Sequence, residues 1–366
     1  MGQAIPEVNE TRYLLAIESS CDETAAAVIR GDFHVLSNVI ASQIAVHAAF
    51  GGVVPELASR HHIVNVLPVV RESLVQAALV DPSFEGLASL GGVAVTAGPG
   101  LVGSLMIGLQ AAKALAWGLN LPLIGVNHLE AHLEAAFARL TGSDVGEAPP
   151  VPHLALLVSG GHSMILDVRA RGQYEILGST RDDAAGEAFD KVAKMLDLGY
   201  PGGPIISRLA VAGDPTAVRF PRAMRRHGEL DMSFSGLKTA VRLYLKDHPK
   251  LSQQHKADVC ASVQEAIVDS LVTKTLDAMK LRARKALVLG GGVAANPRLR
   301  ERLAAACQER GLSLFVPEMA LCTDNAAMVA VAGARRLAEG RIDGMALDAR
   351  ARWRPEQMFT PLSLGS

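Results

Sequence analysis

Two histidines stand four residues apart in a stretch rich in Ala and Leu, within Asn127-His-Leu-Glu-Ala-His132. On a helix, side chains at positions i and i+4 share one face, with their Cβ atoms about 5–6 Å apart. The imidazoles of His128 and His132 can therefore converge on one metal ion, at about 2.0–2.1 Å from each nitrogen if the ion is zinc. The alternative is a pair of ordinary buried or surface histidines, and a metal site needs a third ligand.

The acidic residues beside this pair are misplaced for a zinc protease. Such enzymes use His-Glu-x-x-His, in which the Glu follows the first His and acts as the base. Here Glu130 stands one position later, about 200° around a helix from His128, and Glu134 shares the side of Glu130. The spacing predicts that neither carboxylate faces the metal, which argues against a metalloprotease.

Three glycine-rich loops form a second group of candidates. They are Val158-Ser-Gly-Gly-His162, Tyr200-Pro-Gly-Gly-Pro204 and Gly290-Gly-Gly-Val-Ala-Ala-Asn296. Because glycine admits positive φ, successive backbone N–H groups in such loops can point at one anion. None of the loops matches a P-loop or a Rossmann fingerprint. An open nucleotide cleft and plain turns both remain as interpretations.

Carboxylates in loops of small residues form the third group, and helix capping is the competing explanation for several of them. The group comprises Glu18, Asp22, Glu23, Asp182, Asp183, Asp190 and Asp324. Capping of the helix predicted to begin near Ala184 is the favoured interpretation for Asp182 or Asp183. Asp190 lies past the first turn of that helix. Asp324 also precedes a predicted helix and could cap it, so spacing alone leaves its role open.

The elements that must position these residues alternate between strands and helices. Apolar β-branched runs such as Val93–Thr96 and Leu287–Leu289 alternate with amphipathic Ala/Leu-rich stretches, which predicts an α/β protein with a mixed sheet. A strand-loop-strand pattern occurs twice, in Leu14–Val28 and Leu154–Val168. This echo predicts duplicated lobes, which we place at residues 12–148 and 149–345.

Composition limits the classes of function. The chain has 366 residues, of which 49% are hydrophobic, and this suits two domains that fold without disulfides. A net charge of −1 argues against binding nucleic acid by bulk positive charge. Two basic clusters, Arg219–His227 and Lys280–Lys285, could form local patches, although solvated faces are the favoured interpretation.

The predicted location is a reducing cytoplasm. The four cysteines show no CxxC spacing and no leader pattern opens the sequence. Residues 86–112 carry no charge, but glycines and a proline, among them Gly91, Gly92, Gly98, Pro99, Gly100 and Gly103, divide the stretch. It is therefore predicted to form a strand, a turn and a helix start instead of a membrane span.

Taken together, the ordered motifs resemble those of the bacterial TsaD family, the tRNA threonylcarbamoyladenosine transferases. The motifs are Ile17-Glu-Ser-Ser-Cys-Asp-Glu-Thr24, Gly52-Val-Val-Pro-Glu-Leu-Ala-Ser-Arg60, His128-Leu-Glu-Ala-His132, Ser159-Gly-Gly-His162, Asp183-Ala-Ala-Gly-Glu-Ala-Phe-Asp-Lys191, Ser233-Phe-Ser-Gly-Leu-Lys-Thr239 and Cys322-Thr-Asp-Asn325. The resemblance runs from about residue 13 to residue 335. Small departures at Leu321, Ala326 and Ser163 remove none of the expected ligands.

The resemblance implies an actin/Hsp70-like (ASKHA) fold of two ribonuclease-H-like lobes with a central cleft. It also implies that Asp324 joins His128 and His132 around one divalent metal ion, Fe²⁺ first and Zn²⁺ as the alternative. The candidates for the catalytic base are Glu18, Asp22 and Glu23, and the resemblance favours Asp22. The implied substrate-binding residues are Leu157, Val158, Ser159, Gly160, Gly161, Asp190, Gly203 and Asn296.

The activity implied by the resemblance is transfer of a threonylcarbamoyl group from threonylcarbamoyl-AMP to N6 of adenosine 37 in tRNAs that read ANN codons, with release of AMP. The implied partners are a TsaB-like degenerate paralogue and a TsaE-like P-loop ATPase, with no membrane. An actin-like ATPase or sugar kinase is the main rival, but such kinases hold Mg²⁺ through carboxylates, water and phosphate and need no His pair. A non-catalytic nucleotide-binding protein is the third interpretation.

Overall fold

A computed structural model describes residues 13–31, 33–79, 90–140, 147–224 and 228–353. Within this part of the chain there are two compact units. The first comprises the described parts of Met1–Ala45, Val53–Ala148 and Asp324–Ser366, and the second comprises Val46–Gly52 and Pro149–Thr323. Residues 324–345, which we expected in the second lobe, thus lie in the first unit, because the last helix of the chain packs on the first sheet.

The described strands form two sheets. In chain order the strands are β1 (Tyr13–Glu18), β2 (Glu23–Arg30), β3 (His34–Ser42), β4 (Leu90–Gly98), β5 (Leu123–Asn127), β6 (Arg139–Leu140), β7 (His153–Val158), β8 (Ser163–Ala170), β9 (Gln173–Ser179), β10 (Ala286–Gly290) and β11 (Ser313–Phe315).

Helices flank these sheets. In chain order they are α1 (Ile44–Ala48), α2 (Pro55–Gln76), α3 (Val102–Gly118), α4 (His128–Glu134), α5 (Ala185–Met195), α6 (Gly202–Ala210), α7 (Ser235–Asp247), α8 (Gln253–Arg282), α9 (Pro297–Glu309) and α10 (Ala326–Ala338). None of the described helices is both long and apolar enough to cross a membrane.

The two sheets repeat one topology. The first has the order β5-β4-β1-β2-β3-β6 and the second β11-β10-β7-β8-β9. In each, the first three strands form an antiparallel meander and the next two lie parallel to the first strand. The hairpins predicted at Leu14–Val28 and Leu154–Val168 are β1–β2 and β7–β8, so the predicted duplication is confirmed.

The first sheet is covered on both faces because its side chains alternate. Leu15 and Ile17 of β1 belong to the core cluster that contains valines of α2, whereas Leu14 points toward α10. α10 approaches the sheet closely at Gly333, where a Cβ atom would lie 2.6 Å from the Cβ of Ala94. This close packing sets how near α10 lies to the sheet, and it places α10 in the first unit together with Asp324, which stands two residues before the helix.

The second unit has its own core between its sheet and its helices. Its largest fully buried side chains include Phe189 of α5 and Phe234, which directly precedes α7. The same core contains Leu154 and Leu156 of β7. The end of β7 is therefore held firmly, and the glycine-rich loop that follows it starts from a rigid strand.

Candidate functional site

The His pair lies at the start of a short helix that follows β5 directly. Asn127 caps α4, because its side-chain oxygen accepts hydrogen bonds from the N–H groups of Leu129 and Glu130, at 2.9 and 3.2 Å. The helix therefore begins at His128 and both histidines are buried on one face. The predicted i, i+4 placement is confirmed, with ring centroids 4.7 Å apart.

Asp324 completes a three-residue cluster with these histidines. Its Oδ1 atom lies 3.1 Å from Nε2 of His132 and 3.6 Å from Nε2 of His128. One ligand atom from each of the three residues lies within 4.8 Å of the others. Two imidazoles and one carboxylate are a donor set that suits Fe²⁺ or Zn²⁺, so these side chains could hold a metal ion.

The capping alternative for Asp324 is not realised. The residue that caps α10 is Asn325, whose side-chain oxygen accepts a hydrogen bond of 3.0 Å from the N–H of Met328. The neighbouring carboxylate of Asp324 faces the histidines, and 22% of its side chain is exposed. Asn325 therefore caps the helix and Asp324 faces the histidines, a division of roles that the sequence alone does not predict.

Glu18, the last residue of β1, contacts Nδ1 of His128, the ring nitrogen on the side away from Asp324. Its Oε2 atom lies 3.3 Å from Nδ1 of His128, and Ser20 Oγ lies 3.1 Å from the same nitrogen. Glu18 is fully buried and accepts hydrogen bonds from the hydroxyl of Thr96 and the N–H of Ser20. A carboxylate on the second nitrogen of a metal-binding histidine fixes its tautomer and ring orientation. The sequence pattern had grouped Glu18 with the loop acids and gave no sign of this contact.

The charges around His128 favour a cation at this place. Burial opposes ionisation of the ring, but Asp324 and then Glu18 outweigh it and raise the pKa of His128 to about 9. Burial likewise opposes the charge of Glu18, and His128 reverses that effect so that the pKa of Glu18 is lowered. The carboxylates of Glu18 and Asp324 thus lie beside the two different nitrogens of the His128 ring. A divalent ion at this place would balance their negative charge. The donor set fits the implied metal.

Glu130 faces away from this cluster, as the helical spacing predicts. It forms a buried ion pair with Arg335 and lies 3.4 Å from a guanidinium nitrogen of Arg336. Glu134 also pairs with Arg335, at 3.5 Å. Neither carboxylate is available to act as the base of a protease.

Asp22 lies in the β1–β2 loop beside a second carboxyl group. It is 7% exposed and shares a hydrogen bond with the side chain of Glu23. Burial first, and then the charges of Asp22 and Asp324, raise the pKa of Glu23 to about 9. Burial also raises the pKa of the Cys21 thiol, which makes this cysteine a poor nucleophile.

In the second unit, the loop after β7 presents two glycines to solvent. The hydroxyl of Ser159 accepts a hydrogen bond of 3.2 Å from the N–H of His162, and Ser159 N–H donates to the His162 carbonyl. This tight turn leaves Gly160 and Gly161 exposed. The side chains of the preceding Leu157 and Val158 are fully buried, so only their backbone could meet a substrate.

The other predicted substrate residues gather around the same strand ends. The N–H of Gly186 in α5 donates to Ser159 O, and Asp190 of α5 accepts a hydrogen bond of 2.7 Å from the N–H of Gly202, next to Gly203. Gly291, after β10, has φ of 88° and no room for a Cβ, which would lie 2.4 Å from the carbonyl oxygen of Val158. β7 and β10 are parallel neighbours, and the carboxyl ends of such strands are the usual ligand position in α/β sheets.

Asn296 lies next to two residues that line a cavity in this unit, Gln264 and Pro297. Its oxygen caps α9 by accepting from the N–H of Leu299, and its amide donates to Gln264 at 2.9 Å. A cavity of about 360 Å³ is lined by residues of α6, α8 and the start of α9, including Ser207, Gln264 and Pro297. Its size is that of a small-molecule pocket.

The capping prediction for Asp182 and Asp183 is wrong for their own helix. Ala184, which has no capping side chain, precedes α5, and the N–H of Ala185 donates instead to Ser163 Oγ at 2.8 Å. Asp182 accepts hydrogen bonds from the N–H groups of Phe234 and Ser235, at the start of α7. Asp183 pairs instead with Lys191 and Lys238, at 2.8 and 2.9 Å.

Three arginines of the two basic clusters form ion pairs, namely Arg222, Arg282 and Arg284. Arg222 pairs with Asp269, and Arg284 pairs with the buried Asp167 at 2.7 Å. Arg225, Arg226 and His227 lie outside the described residues. These contacts favour structural roles for the described arginines over phosphate binding.

Solved structures of other proteins share the fold. Full-length HypF in a phosphate- and nucleotide-bound form matches with a TM-score of 0.58 at 13% identity, over 91% of this chain and 47% of that one. Component A of (R)-2-hydroxyglutaryl-CoA dehydratase from Acidaminococcus fermentans matches with a TM-score of 0.51 at 14% identity, over 90% of this chain and 100% of that one. At such identities the likeness concerns the fold, which is the expected actin/Hsp70-like one.

Sequence comparison identifies the family. A model of the family described as TsaD, tRNA N6-adenosine threonylcarbamoyltransferase, matches residues 34–331. The protein of that name from Anaeromyxobacter dehalogenans is 53% identical over 93% of this chain and 99% of its own length. Its counterpart from Sorangium cellulosum is 52% identical over 93% of this chain and 96% of its own length. The chain therefore belongs to the tRNA N6-adenosine threonylcarbamoyltransferase family.

Proposed function

We propose that this chain transfers a threonylcarbamoyl group from threonylcarbamoyl-AMP to N6 of adenosine 37 in tRNAs that read ANN codons. His128, His132 and Asp324 hold one divalent metal ion for this reaction, Fe²⁺ first and Zn²⁺ as the alternative. The observation that carries the proposal is the meeting of these three side chains in a chain of this family, within 4.8 Å of one another.

The adenylate part of the donor binds in the second unit. The exposed turn at Gly160 and Gly161 offers backbone N–H groups to the phosphate, while Asp190 and Gly203 lie beside the start of α6. Asn296 and the cavity next to it accept the nucleoside. The hydrogen bonds that join the strand ends to α5 support a pre-formed site.

The transfer forms one bond and breaks one. The N6 amine attacks the carbamoyl carbonyl carbon, the bond from that carbon to the phosphate oxygen breaks, and AMP leaves with the electron pair. An aromatic amine is a weak nucleophile, so alignment and stabilisation of the carbonyl oxygen must supply most of the rate. The ion, when bound, supplies Lewis-acid polarisation.

Protein groups handle the proton and hold the geometry. Asp22 takes the proton that N6 loses, and the hydrogen bond from Glu23 holds the Asp22 carboxylate in place. Glu18 keeps Nε2 of His128 directed toward Asp324. Glu18, which was a candidate base on sequence grounds, is thus assigned an orienting role.

The chain works in the cytoplasm with a TsaB-like paralogue and a TsaE-like P-loop ATPase. An exposed apolar face of α2 supports a protein partner: Ile63, Val64 and Leu67 are 60, 69 and 63% exposed. Three large apolar side chains exposed within little more than one turn of a helix are unusual for a surface that faces only water. A partner would also share the contact with tRNA, since this chain is nearly neutral.

The test uses purified His128→Ala and Asp324→Ala proteins. Bound metal is measured by elemental analysis, and transfer is measured with tRNA, threonine, bicarbonate, ATP and the companion proteins, followed by mass analysis of nucleosides. Both variants should lose metal and product, while His248→Ala, a change at an exposed histidine in the second unit, should lose neither. Variants that keep both properties would contradict the metal assignment. ATP turnover by the purified original chain alone, together with no modified adenosine in the full mixture, would favour an actin-like ATPase or sugar kinase.

A further inference from the structure

All three proposed ligands belong to, or directly precede, two helices that contact each other. α4 carries His128 and His132, and α10 begins two residues after Asp324. The two helices pack together in the first unit. The position of Asp324 relative to the histidines therefore depends on how α10 is placed against α4.

Apolar packing alone defines this placement poorly. Half of the buried residues of α10 are Ala or Gly, namely Ala326, Ala327, Ala330, Ala332 and Gly333. Small side chains allow close approach, but they interlock less than large ones and so resist sliding less.

A buried charge cluster joins the same two helices. Glu130 of α4 pairs with Arg335 and Arg336 of α10, and Glu134 of α4 also contacts Arg335. The glutamate side chains are 1% exposed and the arginine side chains 7%. Each arginine meets Glu130 through one nitrogen and one oxygen. Because a buried charge cannot leave its partner cheaply, sliding α10 along α4 would be costly, and the cluster favours the observed register of the helices.

We propose that Glu130 is a positioning residue that sets the register of α10 against α4 and thereby holds Asp324 at the distance that metal binding needs. Glu130 lies on the opposite side of α4 from the metal ligands and touches none of them. It acts through Arg335 and Arg336. The inference rests on the proposed metal site and assigns a role to the middle Glu of the His-Leu-Glu-Ala-His segment.

The experiment measures the affinity of the full chain for Co²⁺ and Zn²⁺ by competition with a chelator, together with the visible absorption of the bound Co²⁺. Glu130→Gln keeps the shape of the side chain and removes its charge. We expect its metal affinity to fall about tenfold, the lower end for changes outside the ligand sphere, and the Co²⁺ absorption to change because the ligands move.

Asp167→Asn is the matched control for lost stability. Asp167 is a buried carboxylate in the second unit that accepts two hydrogen bonds from Arg284, at 2.7 and 2.9 Å. This variant breaks a comparable ion pair in the second unit, whereas the proposed ligands belong to the first. Its metal affinity should therefore stay within about twofold of the original, and its Co²⁺ absorption should not change.

The possible results distinguish failure of the Glu130 inference from failure of the proposed metal site. A folded Glu130→Gln protein with the original affinity and absorption overturns the inference while the metal site stands. An original chain that binds neither ion overturns both proposals. If Glu130→Gln does not fold, the double variant Glu130→Gln/Arg336→Gln, which removes one charge of each sign, takes its place, and original affinity in that protein overturns the inference in the same way.

Discussion

The carboxylate of Asp324 lies 3.1 Å from Nε2 of His132, although 192 positions separate the two residues in the chain. They meet because the chain returns to its first unit after residue 323 and adds α10 to the first sheet. Most of the second unit is thus inserted in the chain between the residues of the candidate metal site, and each of these residues depends on correct folding of the first unit.

Metal binding should stabilise the chain through Asp324. At a metal concentration of about 100 times the dissociation constant, the expected gain is about 2.7 kcal/mol, because the ion binds only the folded triad. Urea unfolding with and without metal measures it. Asp324→Asn should abolish the gain, whereas Asp348→Asn, at an exposed aspartate in the same unit, should keep it; an equal gain in both variants would contradict the ligand assignment.

Loss of the Glu18 carboxylate should weaken metal binding without removing a ligand. Since Glu18 holds Nδ1 of His128, Glu18→Gln should lower metal affinity by about 10–100-fold. Chelator competition gives the affinity. The control is Glu56→Gln, at an exposed glutamate that pairs with Arg60 on α2, and it should bind metal as the original chain does. Equal affinity for the two variants would rule out an orienting role.

Asn296→Ala should damage adenylate binding beyond its effect on stability. The variant loses the cap of α9 and the contact with Gln264, which costs about 1 kcal/mol of stability for the cap. Ser252→Ala removes the cap of α8, where Ser252 accepts from the N–H of His255, and so provides the same loss elsewhere in the unit. Calorimetric titration with AMP should show weaker binding for Asn296→Ala and unchanged binding for Ser252→Ala. If both variants bind AMP more weakly to the same extent, Asn296 acts only as a cap.

The Asp167–Arg284 pair predicts an acid-dependent loss of stability. The hydrogen bonds from Arg284 hold the pKa of Asp167 below its usual range. A lowered folded pKa means that the stabilisation is present above the unfolded value of about 3.9 and is lost as the pH falls through the folded one. Asp167→Asn should therefore cost roughly 3 kcal/mol at pH 7. The difference between the two proteins in urea unfolding should shrink toward pH 3, and a difference that does not vary with pH would contradict the ion-pair account.

The apolar face of α2 predicts a partner surface. Leu67→Glu places a charge among exposed apolar side chains, so it should leave folding intact and prevent pairing with the TsaB-like paralogue. Leu281→Glu changes an equally exposed leucine on α8 and should pair normally. Size-exclusion chromatography of each variant mixed with the paralogue tests this, and pairing by Leu67→Glu would remove α2 from the interface.

Local periodicity was enough to predict the parts of the site that lie within one element. The i, i+4 spacing placed His128 and His132 on one face and Glu130 on another, and alternating patterns located both hairpins. Family resemblance was needed for Asp324, because Asp324 and Asn325 are equally good caps by residue type and only the folded backbone shows which one caps α10.

Contacts between distant segments left no local signal. Glu130 meets Arg335 across 205 positions, and Asp182 binds the start of a helix 52 positions away instead of its own. Both depend on how the elements pack, which a pattern of polar and apolar residues does not encode. The return of the chain to the first unit escaped prediction for the same reason.

The two topologically equivalent hairpins, β1–β2 and β7–β8, carry different residues in their connections. The β1–β2 connection carries Asp22 next to Glu23, whereas the topologically equivalent β7–β8 connection consists of Ser159, Gly160, Gly161 and His162. Acidic side chains repel phosphate and attract cations, and a turn without carboxylates does neither. Although the two sheets share one topology, the equivalent connections therefore present opposite electrostatic surroundings to a ligand.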